Sequence, residues 1–74
     1  MRTLRRLRNQ AHSFFDPLWK AKMKRDNCSQ SEARNAAYNW LSLQMNIPRD
    51  RCHIAMFDEA ECQRVIEICQ RFYR

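Results

Sequence analysis

Not one of the 74 residues is glycine. That absence narrows the fold more than any motif does. Tight β-hairpin turns need glycine at positive φ, and phosphate-cradling loops are built from it. A short chain without it reads as helices joined by turns, and any left-handed position falls to asparagine or aspartate.

The helix signals are concentrated between Ser29 and Cys69. Ser29 and Glu32 form a capping-box pattern, the serine oxygen accepting from the Glu32 amide and the Glu32 side chain reaching back to the Ser29 amide. Ala33, Ala36, Ala37, Trp40, Leu41 and Met45 follow at helical spacing, which predicts a helix over about 30–45. Asn46 stands where a left-handed residue would stop it. Pro48 forbids continuation and opens one short turn across 48–51. Asp58 and Glu61 repeat the capping pattern. After them Cys62, Val65, Ile66, Cys69, Phe72 and Tyr73 make one apolar stripe, predicting a helix over about 59–72.

Upstream, Thr3 is a candidate N-cap, and Leu4, Leu7, Ala11, Phe14, Phe15 and Leu18 recur at helical spacing. Asp16-Pro17 is expected to end this helix. Asp16 would then cap a fresh short helix with Pro17 at its first position, carrying Leu18, Trp19, Ala21 and Lys22. Lys24 to Asn27 reads as a polar linker. The expected fold is a small all-α single domain over 1–74, with three main helices and one or two short helical turns. A basic N-terminal segment, 1–25, precedes a helix–elbow–helix unit, 29–73. The expected core is Leu7, Ala11, Phe15, Leu18, Ala37, Trp40, Leu41, Ile54, Phe57, Cys62, Val65, Ile66 and Cys69.

Charge is uneven along the chain. Residues 1–25 hold eight of the 14 Lys and Arg residues against a single acid, Asp16, while residues 26–74 hold the other six against seven acids. A surplus of that kind attracts polyanions or an acidic protein face. No run of about 18 apolar residues exists to span a membrane. The basic start lacks an apolar h-region, so no signal peptide is expected, and the four cysteines read as free thiols in a reducing cytosol.

The candidate chemistries are thin. Cys52 and His53 are adjacent and Cys62 lies ten residues on, but there is no C-x-x-C and no paired histidine motif. Cys62 and Cys69 fall on the apolar stripe, where a free cysteine behaves as a small hydrophobe. His12 and Asp16 share a helix face and His53 and Asp58 flank the elbow, yet no nucleophile stands in a fixed relation to either pair. Structural hydrogen bonds to helix termini explain both histidines better. The segment Asn46-Ile47-Pro48 between helices has a loose helix-turn-helix look. Asp58, Glu59 and Glu61 at the start of the last helix would repel phosphate where a recognition helix reads bases.

Taken together, Ala11-His12-Ser13-Phe14-Phe15-Asp16-Pro17-Leu18-Trp19-Lys20, then Ala37-Tyr38-Asn39-Trp40-Leu41, Ile47-Pro48, Cys52 to Asp58 and Cys62 to Cys69 resemble a phage and bacterial family, the zinc-finger-containing family of unknown function. The match covers nearly the whole chain. Residues 34–37 look like extra length in the second helix. The resemblance implies a phage or prophage setting and carries no established activity. It also implies a cysteine-rich zinc ribbon ahead of these motifs. From Met1 the sequence runs straight into the first helical motif, so the ribbon is expected to be absent, with no metal site and no cofactor.

The expected function follows from the charge and from the setting that the resemblance implies. It is that of a small cytoplasmic binding protein acting stoichiometrically on a host protein or nucleoprotein complex, for instance as a host-defence inhibitor such as an anti-CRISPR. The alternative is a non-specific DNA- or RNA-binding protein. In either case the binding residues are Arg2, Arg5, Arg6, Arg8, Trp19, Lys20, Lys22, Lys24 and Arg25, with no catalytic residues. The partner's identity and the oligomeric state are not written in the sequence.

Overall fold

The computed structural model describes residues 2–73. Three α-helices carry the fold: α1 (Arg2–Asp26), α2 (Gln30–Met45) and α3 (Glu59–Phe72). Two single 3-10 turns, Arg49–Arg51 and Ile54–Met56, make the elbow between α2 and α3. Among the described residues there is no strand, so the all-α expectation holds.

The two left-handed positions among the described residues fall on asparagines. Asn27, at φ 52°, ends α1, and Asn46, at φ 58° and ψ 46°, ends α2. The Asn46 amide donates to Leu43 and the Ile47 amide to Ser42, closing the last turn of α2. Pro48 is extended and opens the first 3-10 turn, as its fixed φ favours. The caps differ in completeness. At α3 the Asp58 carboxylate accepts from the Glu61 amide at 2.9 Å, while Glu61 accepts from the Asp58 amide at 3.1 Å. At α2 the Ser29 oxygen accepts from the Glu32 amide at 3.1 Å. There Glu32 turns to the Ser29 hydroxyl at 3.1 Å, so only half of the expected box forms.

The main departure lies in α1. It runs unbroken through Pro17 and on through Lys24, Arg25 and Asp26, where sequence reading expects a break and a linker. Asp16 caps nothing. Its carboxylate accepts from the Trp19 indole at 3.1 Å and faces His12 Nδ1 at 3.4 Å. The reason is tertiary. Ala11 and Phe15 are fully buried before the proline, and Leu18 and Trp19 pack against the same core after it. One continuous helix keeps all four on one side. Pro17 itself is exposed, so its ring crowds no packed neighbour. At about 1.5 Å per residue, 25 residues reach roughly 37 Å, matching the 38 Å long axis of the molecule.

α1 packs chiefly on α3 and then on α2. The core joins Ala11 and Phe15 to Tyr38 and Leu41 of α2, to Cys52, Ile54 and Phe57 of the elbow, and to Cys62, Val65, Ile68 and Cys69 of α3. Leu7, Leu18, Ala37, Trp40 and Ile66, expected inside, are half-buried around it. Tyr38, Cys52 and Ile68 take their place at the centre. Phe72 and Tyr73 close the apolar stripe of α3 yet remain 58 % and 51 % exposed. The Tyr73 hydroxyl donates to the Phe14 carbonyl at 3.0 Å, fastening the far end of the chain to the middle of α1.

Candidate nucleic-acid or protein interface

Helical geometry sorts the basic residues of α1. At about 100° per residue, Arg5, Arg6, Lys20 and Lys24 fall within one arc of about 100°, opposite Ala11 and Phe15. All four are exposed. Arg5 and Lys24 lie roughly 28 Å apart along the axis at about 1.5 Å per residue. None of the four has a carboxylate within ion-pair distance among the described residues.

The other predicted binding residues behave differently. Arg8 stands seven residues before Phe15, almost in line with it, so it borders the buried stripe. It is half-buried and its Nε donates to the Phe57 carbonyl at 3.1 Å, tying α1 to the elbow. It therefore does not belong to a freely solvated arginine face. The Arg2 side chain lies outside the described residues. Lys22 and Arg25 are engaged by Asp26, at 2.7 and 3.1 Å. Those hydrogen bonds, from Arg25 and then Lys22, hold the Asp26 carboxyl down to about 2. Trp19 is half-buried, with the Lys20 ammonium 5.7 Å and the Arg34 guanidinium 5.8 Å from its ring centre.

Arg34 is a residue that sequence reading passes over, and it extends the basic surface from α1 onto α2. Arg49 carries it to the elbow, its guanidinium 5.2 Å from the Tyr38 ring centre. Arg34 and Tyr38 are four apart on one helix, so half of this arrangement follows from spacing. The meeting with Arg49 crosses the elbow and has no local signature.

Of the two histidine pairs, His12 and Asp16 meet, 3.4 Å apart on α1. Asp16 spends the same carboxylate oxygen on His12 and on Trp19. That bond lies in the middle of α1 rather than at a helix terminus. His53 is exposed, with its ring 5.8 Å from that of Tyr38. The acids expected to repel phosphate stand at the start of α3, in its first turn and cap.

A family model described as a zinc-finger-containing domain matches residues 1–72. The chain belongs to that zinc-finger-containing family. The match begins at the first residue and gives no ground for the expectation that the family's ribbon is missing. Comparison with curated proteins and with solved structures returned no match.

The family's description implies zinc, and the described residues do not fit it. Among them no three His, Cys, Asp or Glu side chains gather where they could share an ion. Cys52, Cys62 and Cys69 are buried in the apolar core. Burial pushes all three thiols up, Cys69 to about 11. Zinc binds the thiolate, and this environment favours the neutral thiol. Cys28, half-buried, points its Sγ at the Lys22 carbonyl, 3.9 Å away. No helix among the described residues is long and apolar enough to cross a membrane.

Proposed function

We propose that this member of the zinc-finger-containing family is a non-catalytic binding protein of the host cytoplasm. It docks by charge on an anionic face of a host protein or nucleoprotein complex and acts by occupying it. The phage and bacterial setting of the resemblance suits a host-defence inhibitor of the anti-CRISPR kind. One observation carries the reading. Arg5, Arg6, Lys20 and Lys24 line one exposed face of α1 with no acid paired to them among the described residues. Charges laid out in that way steer a complementary surface and set its register.

The test is a pull-down from host lysate, with and without nuclease, using the original protein and a variant with Arg5, Arg6, Lys20 and Lys24 all changed to Gln. The expected result is a protein partner that survives nuclease and is lost with the variant, while the melting temperature is unchanged because exposed charges stabilise little. Nuclease-sensitive capture with a steep salt slope would replace this reading with the nucleic-acid one. Equal capture by the variant at low salt would show that the face is merely solvated.

A further inference from the structure

A groove lined by none of those four α1 residues opens between the first half of α2 and the first 3-10 turn. Its volume is about 680 Å³, and Arg34, Asn35, Tyr38, Arg49 and His53 line it. We propose that this groove binds the phosphate group of a small ligand, whether free phosphate or a nucleoside monophosphate.

Arg49 is positioned rather than solvated. Its Nη2 donates to the Asn35 carbonyl oxygen at 3.0 Å. Its guanidinium rests over the Tyr38 ring at 5.2 Å. Its Nε is shut off from solvent and has no acceptor among the described residues. A charged donor left without an acceptor is costly, and such groups are rare in native proteins without a reason. Arg49 is only partly buried and lines the groove, so an oxygen entering there meets the part of its side chain that stays accessible. Arg34 lines the same groove, is exposed, and has no carboxylate within ion-pair distance among the described residues. Two planar guanidinium forks over one concavity suit the oxygens of a phosphate.

Neutral donors complete the lining. Because Asn35 turns its carbonyl oxygen to Arg49, its amide nitrogen is left to donate elsewhere. Gln30 and Ser31 also line the groove and open α2, where backbone amides have no acceptor inside the helix. Glu32 is the acid in the lining, and it receives the Ser29 hydroxyl. Against its single negative charge stand two arginines and the helix end, worth roughly half a positive charge. The volume exceeds what a lone phosphate fills and lies within the roughly 300–1,000 Å³ of small-molecule sites. Arg5, Arg6, Lys20 and Lys24 do not line this groove, so either proposal can fail without the other.

The experiment titrates isotope-labelled protein with inorganic phosphate, adenosine monophosphate and adenosine at constant ionic strength, and follows backbone amides and arginine Nε–H resonances. Saturable shifts are expected at Asn35, His53 and the Nε–H groups of Arg34 and Arg49, with phosphate and with the nucleotide and not with adenosine. Tighter binding of the nucleotide assigns the ligand to that class. Equal binding assigns the site to phosphate itself. Arg49→Lys keeps the charge and removes the fork, and should weaken binding roughly tenfold or more. Arg34→Gln, an exposed change that leaves the Arg49 contacts intact, should do the same. Shifts that grow without saturating to tens of millimolar overturn the proposal. So do shifts centred on Arg5 and Arg6, or binding that survives both substitutions unchanged.

Discussion

Replacing Pro17 with alanine should stabilise the protein. Proline inside a helix costs about 3 kcal/mol relative to alanine, because it removes one amide donor and crowds the preceding turn. In α1 the group deprived of a donor is the Ser13 carbonyl, four residues earlier. Two effects reduce the gain. Ser13 and Pro17 are both exposed, so water partly satisfies that carbonyl. Proline also stiffens the unfolded chain, worth about 0.4–1 kcal/mol that alanine gives up. The net gain is about 1–2 kcal/mol, and for a domain this small that raises Tm by about 5–15 °C. A thermal melt followed by far-UV circular dichroism reads it directly. A lower Tm in the variant would refute the reasoning. Proline is pre-organised at the first position of a helix, so a loss would mean that a separate helix begins at Asp16 and that α1 is not continuous.

Other substitutions test the joints. Asp58→Ala removes a cap in which both hydrogen bonds are made and should cost about 1 kcal/mol by chemical denaturation. Arg8→Ala should cost about 1 kcal/mol through loss of the bond to Phe57, while Arg5→Ala and Arg6→Ala should each stay within about 0.5 kcal/mol. A thiol reagent at pH 8 should modify Cys28 first, with Cys52, Cys62 and Cys69 reacting only as the fold opens, as mass spectrometry of partly labelled protein would show. Stability should also fall between pH 9 and 11, through Cys69. The unfolded thiol ionises near its ordinary 9.0 and the buried one near 11. The folded state therefore holds the proton over that window, and its advantage is lost as pH rises through it. Denaturation midpoints for Cys69→Ser across the same range should lack that Cys69 contribution.

Much of the scaffold is legible from local signals. A chain without glycine hands its left-handed positions to Asn27 and Asn46, and the second of these is marked in advance by the apolar stripe ending at Met45. Asp58 with Glu61 and the Pro48 turn are likewise short-range chemistry. Where the reading fails, distant residues decide. Pro17 is a strong local stop signal, and it is overruled because Phe15 and Leu18 must reach one core from either side of it. Tyr38 has a polar tip that counts against burial. It is buried because Phe15 packs against it with tilted rings, 4.6 Å between centres, and because the elbow folds over it. Arg8 looks like its neighbours Arg5 and Arg6 until the elbow carbonyl of Phe57 arrives, 49 residues away. The groove is hidden for the same reason, since only the elbow brings Arg49 to the concavity that Arg34 lines.

The clasp between Tyr73 and Phe14 bears on how the chain is made. A ribosome delivers α1 before α3, with Ala11 and Phe15 not yet covered by that helix. Cys62, Val65, Ile68 and Cys69, which share their core, are synthesised after them. Complete native packing must therefore wait until α3 has left the exit tunnel, and an interrupted product that stops in the elbow would leave uncovered the part of the apolar stripe that α3 buries. Such a fragment is a substrate for chaperones and proteases rather than a smaller working copy.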